Sequence, residues 1–187
     1  MTPAQQRADA ICRRLPPRGG LIVEVGVLIG ALSTEILRKR SDAVLHMVDN
    51  WRPMAEQPAS YIATGDDHAL HDAQRVESHY RQASRVARRF PGRAIIRRGD
   101  SVEIAEDFTP GEIDLVFLDA DHSFEGVTAD LAAWEIRVKA GGWIGGHDYR
   151  NPDPRFRFGV TEAVDAWAER RGLQLETDLN FTWFARL

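Results

Sequence analysis

Leu115-Val116-Phe117-Leu118-Asp119-Ala120-Asp121-His122 is an apolar run that ends in two carboxylates and an imidazole. Charged groups are rarely buried without partners, so core packing alone does not account for this ending. In an open α/β sheet the ligand crevice lies at the carboxyl ends of the strands. The segment therefore predicts a central buried strand whose end carries a functional site. The next apolar strand runs into Gly145-Gly146-His147-Asp148-Tyr149 and would set a second polar terminus beside the first. Together the two ends imply a metal or general-base centre next to a small-molecule site.

Working outward, Leu21–Val25, Gly26–Gly30, Ala31–Arg40 and Val44–Val48 read as strand, glycine turn, helix and strand, a βαβ unit that implies a parallel sheet. Thr2-Pro3 starts a helix running to about Leu15, where Pro16-Pro17 and Gly19-Gly20 stop it. After an irregular stretch over Trp51–Asp67, the spacing of Val76, Tyr80, Ala83, Ala87 and Phe90 predicts a helix from His68 to Phe90. Strands are expected at Ala94–Arg98, Ile113–Leu118 and Trp143–Gly145, and helices at Ser101–Asp107, Phe124–Val138 and Val160–Arg171. Gly141-Gly142 is taken to end the second of these helices. Leu173–Glu176 and Phe181–Ala185 pair as a terminal hairpin. The expected fold is a Rossmann-like three-layer α/β/α sandwich, with a seven-stranded, mostly parallel sheet and a C-terminal antiparallel hairpin. Residues 1–187 form one domain, and 51–90 form an insertion suited to a lid or a dimer contact.

The chain has 187 residues, 43% hydrophobic and 28% charged, enough for one full-sized core. A net charge of −4 gives no electrostatic case for nucleic acid or an anionic membrane. A single cysteine, Cys12, excludes an internal disulfide. The N-terminal segment lacks the apolar core of a signal peptide, and no apolar run reaches the roughly 20 residues of a membrane span. A cytoplasmic location is expected.

Glu24-Val25-Gly26-Val27-Leu28-Ile29-Gly30 turns from strand to helix, where backbone amides can approach a ligand. A dinucleotide fingerprint would place glycine where Leu28 stands. Its side chain obstructs a diphosphate and tolerates a cofactor without one. Asp49, at the second strand end, is placed to accept hydrogen bonds from two ribose hydroxyls, a feature that by itself fits NAD as well. These motifs, followed in order by Gly99-Asp100-Ser101, Leu118–His122 and Gly145–Asp148, resemble class I S-adenosylmethionine-dependent methyltransferases. The resemblance is to the small-molecule O-methyltransferase branch, and within it to the group related to macrolide-sugar O-methyltransferases.

The resemblance implies that Glu24, Gly26 and Gly30 line the methionine portion of the cofactor. It puts Asp49 on the ribose, Asn50 or Trp51 near the adenine, and Asp100 and Ser101 beside the ring. Asp100 and Ser101 also read as helix caps. In metal-dependent members of the branch, the positions of Asp119, His147 and Asp148 bind a divalent ion, with Mg or Mn expected. Such an ion would lower the pKa of an acceptor hydroxyl and orient it. Asp121 or His122 could take the proton, and His122, like Asp119, could instead touch the cofactor. Because imidazole suits Mn, Fe or Zn better than Mg, three readings stay open at His147. These are a softer metal, a Mg site of Asp119, Asp148 and water, or no metal with His147 as the base.

The expected function is S-adenosylmethionine-dependent O-methylation of a hydroxylated small molecule, divalent-metal-assisted. The rivals are a metal-independent methyltransferase using His147 or Asp121 as base, an NAD-dependent oxidoreductase, and a non-catalytic binding module. No Tyr-x-x-x-Lys hydride-transfer pair supports the oxidoreductase. His68, His71 and His79, with Asp66, Asp67 and Asp72, give the insertion a polar face that could be solvated or could hold a metal. A homodimer is entertained because the Val76–Phe90 stripe and the hairpin offer surfaces to bury.

Overall fold

The computed structural model describes every residue from Met1 to Leu187. Seven helices and seven strands follow in the order α1 (Pro3–Cys12), β1 (Leu21–Val25), α2 (Ala31–Lys39), β2 (Val44–Asp49), α3 (Ala59–Ala63), α4 (Ala73–Arg89), β3 (Ala94–Arg98), α5 (Ser101–Ala105), β4 (Ile113–Leu118), α6 (Phe124–Glu135), β5 (Val138–Gly146), α7 (Val160–Arg171), β6 (Leu175–Asp178) and β7 (Thr182–Arg186). The strands form one sheet in the order β3-β2-β1-β4-β5-β7-β6. The first five are parallel, and β7 runs antiparallel between β5 and β6. Strand order reverses between β1 and β4, which makes their carboxyl ends the switch-point crevice of the sheet.

Alternation along the strands divides the core between the two faces of the sheet. Ile22, Leu45, Met47, Leu115 and Phe117 pack under α1, α2 and α4, together with Ile11, Ile36 and Val86. Val23, Val25, Val116, Leu118 and Ile144 pack under α5, α6 and α7, together with Leu131, Trp134 and Trp167. Strands buried on both faces read as continuous apolar runs, which is why β4 is so plain in the sequence. No helix is long and apolar enough to cross a membrane.

Several boundaries differ from the sequence expectation, each for a local reason. α1 ends at Cys12, short of Leu15. The helix expected from His68 starts at Ala73, because Asp72 accepts from the Arg75 amide as its cap and a separate 3₁₀ turn occupies Asp67–Leu70. The stretch read as irregular contains another 3₁₀ turn, Met54–Glu56, and α3. Gly141-Gly142 does not end α6, which stops at Glu135. The pair lies inside β5, where the register against β4 shifts. A Cβ on Gly142 would meet Val138 Cγ1 and two backbone carbonyls at 2.8–2.9 Å, so the irregular pairing requires glycine. The hairpin is present but begins later in both strands, with Asn180 and Phe181 left-handed at its turn.

Candidate active site

The switch-point crevice holds a cavity of about 560 Å³, lined by residues from the ends of β1, β2, β4 and β5. Its floor is set by one backbone contact. Gly26 has φ +90°, and a Cβ there would lie 1.9 Å from the Asp119 carbonyl oxygen. Only glycine lets the loop after β1 pass so close to the end of β4.

At the β1–β2 end, Asp49 organises the loop. One carboxylate oxygen accepts from the Val27 and Leu28 amides, each at 2.9 Å, and the other accepts from the Trp51 amide at 2.7 Å. Trp51 returns the contact, its Nε1 donating to the Leu28 carbonyl at 2.8 Å. Leu28 and Trp51 both take left-handed backbone, held there by these bonds. Two amides that a pyrophosphate would need are thus committed to Asp49. Burial raises the Asp49 pKa, against the three amides that favour its charge. Glu24 is almost fully buried on the wall of the cavity and accepts from the Ser33 hydroxyl. Burial pushes its carboxyl up to about 8.

At the β4–β5 end, three acidic side chains interleave with three basic ones. His122 Nδ1 meets Asp66 Oδ2 at 2.7 Å, and its Nε2 faces Asp148 Oδ2 at 3.2 Å and Asp119 Oδ1 at 3.4 Å. The latter two contacts lie off the hydrogen-bond axis, so Nε2 is buried without a hydrogen-bond partner. Burial pulls the His122 imidazole down, but Asp119 and Asp66 outweigh it and bring it to about 10. His147 Nδ1 lies 2.9 Å from Asp148 Oδ2 and 3.4 Å from Asp119 Oδ1, while Arg7 Nη1 lies 2.9 Å from its Nε2. Burial disfavours the charged His147, and the two carboxylates more than reverse that, to about 9. The Arg7 contact acts in the opposite sense, since a guanidinium can donate only to an unprotonated Nε2. The neutral Nδ1–H tautomer satisfies all these contacts. Despite their burial, the surrounding basic groups hold the Asp119 and Asp66 carboxyls well below the usual range. Ligand atoms of Asp119, His122 and Asp148 all lie within 4.8 Å of one another, close enough to hold one ion.

The family model described as a methyltransferase domain matches residues 23–149. The chain belongs to that family. It is an S-adenosylmethionine-dependent methyltransferase. No curated protein matches the sequence. Solved structures share the fold at low identity. The O-methyltransferase NovP superposes with a TM-score of 0.59 at 19% identity, over 98% of this chain and 77% of its own. The pyocyanin biosynthetic protein PhzM gives 0.60 at 17%, over 98% of this chain and 55% of its own. Geranyl diphosphate C-methyltransferase from Streptomyces coelicolor A3(2), solved with Mg²⁺, geranyl diphosphate and S-adenosyl-L-homocysteine, gives 0.59 at 15%, over 91% and 61%. This chain therefore spans little more than half the length of some of its structural neighbours.

In this methyltransferase the residues singled out from the sequence converge on one cavity, with one exception. Glu24, Gly26, Asp49, Asn50, Trp51, Asp100, Ser101, Asp119, Asp121, His122, His147 and Asp148 all line it. Gly30 does not. It caps α2 with φ +81°, and its α-carbon faces Val86 and Met47, where a Cβ would be 3.1 Å from Val86. Asp100 caps α5 through the Val102 amide, and the Ser101 hydroxyl accepts from Trp134 Nε1, so both have structural duties as well. Asp121 accepts from the Ser123 amide, and a Cβ on Gly126 would lie 2.3 Å from its carboxyl carbon. Its carboxylate is engaged with the first turn of α6 and contacts neither His122 nor His147.

Three contributors escaped the sequence reading. Arg7 comes from α1, where nothing in the pattern separates it from surface arginines. Asp66 was visible only as one member of a polar face, and its contact with His122 spans 56 positions. Asp130 is buried on the cavity wall, with its carboxyl raised to about 7 by burial. The helical period of α6 could have flagged it, because it adjoins Leu131 on the buried side.

Replacing Asp49 by alanine removes the acceptor for three amides. We expect binding of S-adenosylhomocysteine, by calorimetry, to weaken by about 2–3 kcal/mol, since charge-assisted hydrogen bonds are of that size. The melting temperature should fall with it as the loop loosens. Unchanged affinity would mean that this loop does not hold the cofactor.

Proposed function

We propose that this methyltransferase transfers its methyl group to a hydroxyl of a small molecule, with a divalent ion held by Asp119, His122 and Asp148. The observation that carries this reading is the buried Nε2 of His122, which faces two carboxylates without a hydrogen bond. A metal-ligating histidine ordinarily donates its other ring N–H to a carboxylate. Asp66 supplies that carboxylate at Nδ1. The mixed nitrogen and oxygen donor set suits Mn better than Mg.

The cofactor supplies an electrophilic methyl on a sulfonium, and a bound ion would acidify the acceptor hydroxyl. The chain's own residues do the rest. Glu24, the Gly26 loop and Asp49 orient the cofactor, with Asn50, Trp51, Asp100 and Ser101 at its nucleoside end. His147, its Nδ1–H held by Asp119 and Asp148, would take the acceptor's proton at Nε2 in exchange for its hydrogen bond from Arg7. The insertion at 51–90 acts as a lid that also supplies Asp66 to the centre. The acceptor enters beside Phe156 and Phe158, stacked at 4.6 Å, with Phe158 packed 4.6 Å from His122.

A metal-independent transfer is favoured by a different observation. Asp66, Asp119 and Asp148 already face His122, Arg7 and the Nδ1–H of His147 without any ion. There the base would be neutral His147, and the rate would not respond to EDTA.

Thermal unfolding with saturating S-adenosylhomocysteine or NAD, each with Mn²⁺ or EDTA, tests the proposal. A ligand at about 100 times its dissociation constant stabilises by roughly 2.7 kcal/mol. For a chain this long that is a rise of about 5–11 °C. We expect the rise with S-adenosylhomocysteine and none with NAD, and a further rise with Mn²⁺ that EDTA reverses. No response to Mn²⁺ would remove the metal from the reading, and a response to NAD alone would overturn it.

A further inference from the structure

Arg7 lies on α1, before the residues matched by the family, yet its side chain is largely buried on the wall of the cavity. Its guanidinium makes one hydrogen bond, from Nη1 to His147 Nε2 at 2.9 Å, and stands 3.9 Å from Asp119 Oδ2. Nε is buried without any partner, and no protein acceptor meets Nη2. The Nε–Nη2 edge of an arginine is a planar two-donor fork that fits a carboxylate bidentately. Leaving Nε buried and unpaired is costly, and Nη2 beside it is not fully buried, so a ligand is expected to take the edge. Glu24 lines the same cavity, on the strand that pairs with the one leading into Asp119, which Arg7 approaches.

We propose that the free edge of Arg7 binds the α-carboxylate of the cofactor's amino-acid tail, while Glu24 takes the α-ammonium. The inference rests on the cofactor reading above and adds a residue to it. The zwitterion would then lie between the guanidinium of Arg7 on α1 and the carboxyl of Glu24 on β1. An anionic group on the acceptor has the same chemistry, and the experiment separates the two sources.

Binding of S-adenosylhomocysteine and of its decarboxylated analogue is measured by calorimetry on the wild-type protein, Arg7→Met and Arg7→Lys. We expect Arg7→Met to weaken S-adenosylhomocysteine by roughly ten- to hundredfold, the range of a charge-assisted bidentate pair, and to leave the decarboxylated analogue within about twofold. Arg7→Lys should restore part of the loss. An equal loss on both ligands would reduce Arg7 to a packing role and overturn the proposal. No loss on either would overturn it as well and would assign the edge to an acceptor anion. Failure of the wild-type protein to bind either ligand would instead reject the cofactor reading. Melting curves of each variant without ligand identify any that fails to fold, and Arg7→Gln then replaces Arg7→Met.

Discussion

Asp119→Asn should lower kcat/KM by a factor of about 10³ or more, a loss of roughly 4 kcal/mol in the barrier. One oxygen of this carboxylate faces both imidazoles at 3.4 Å, and the other faces Arg7 at 3.9 Å. An amide is nearly the same size but cannot balance three basic neighbours, and it is a poor ligand for a divalent ion. The variant should also melt at a lower temperature, because removing the central charge of a buried cluster leaves its partners unpaired. The informative control is Asp121→Asn, two residues on. Its carboxylate is engaged with the Ser123 amide at the start of α6, so we expect less than tenfold loss of turnover. Steady-state kinetics on the two variants decides between them. Near-normal turnover in Asp119→Asn, or a larger loss in Asp121→Asn, would move the chemistry away from the β4–β5 centre.

Glu24→Gln should make the ligand-free protein more stable at alkaline pH while weakening its grip on the cofactor. The sign follows from the proton. Buried Glu24 titrates at about 8 in the folded chain, against 4.5 for the free side chain. Above pH 4.5 the unfolded chain releases a proton that the folded chain keeps, so Glu24 destabilises the fold progressively between pH 4.5 and about 8 and by a constant amount beyond. At about 1.4 kcal/mol for each unit, the full effect is roughly 3–5 kcal/mol. Glutamine keeps an acceptor for Ser33 and carries no charge. The melting temperature of the variant should exceed that of the wild type by about 6–20 °C at pH 8.5, and by little at pH 5. S-adenosylhomocysteine should bind at least tenfold more weakly. Equal stability at both pH values would show that Glu24 is already ionised, with Arg7 as its counter-charge. Such an exchange of stability for ligand affinity is typical of functional sites.

The sheet was legible because β1 and β4 are buried on both faces, so their sequences carry nearly continuous apolar runs that end in glycine or aspartate. The residues at those strand ends were legible for the same reason, since a strand fixes where its terminus points. Gly30 was misplaced because spacing alone cannot tell a glycine that faces a ligand from one that faces Val86. Gly141-Gly142 misled in a similar way, as a helix stop and a strand irregularity make the same demand on the residue type. Arg7 could not be read at all, and Asp66 only as one member of a polar face. Each reaches the centre through a tertiary contact from an element whose own period says nothing of the site.

The close pass of Gly26 against the carbonyl of Asp119 has a consequence for how such a protein can diversify. Main chain meets main chain there, so the spacing between the donor half and the acceptor half of the crevice is built into the scaffold. Side-chain exchange cannot retune it. On the proposed reading, new acceptors would be accommodated by substitutions in the segments draped over the crevice, around Phe156–Phe158 and on either side of Asp66 within Tyr61–His71. The distance over which the methyl group travels would be unaltered. Selection for a new substrate should therefore accumulate substitutions in those two segments and leave the β1 and β4 termini unchanged.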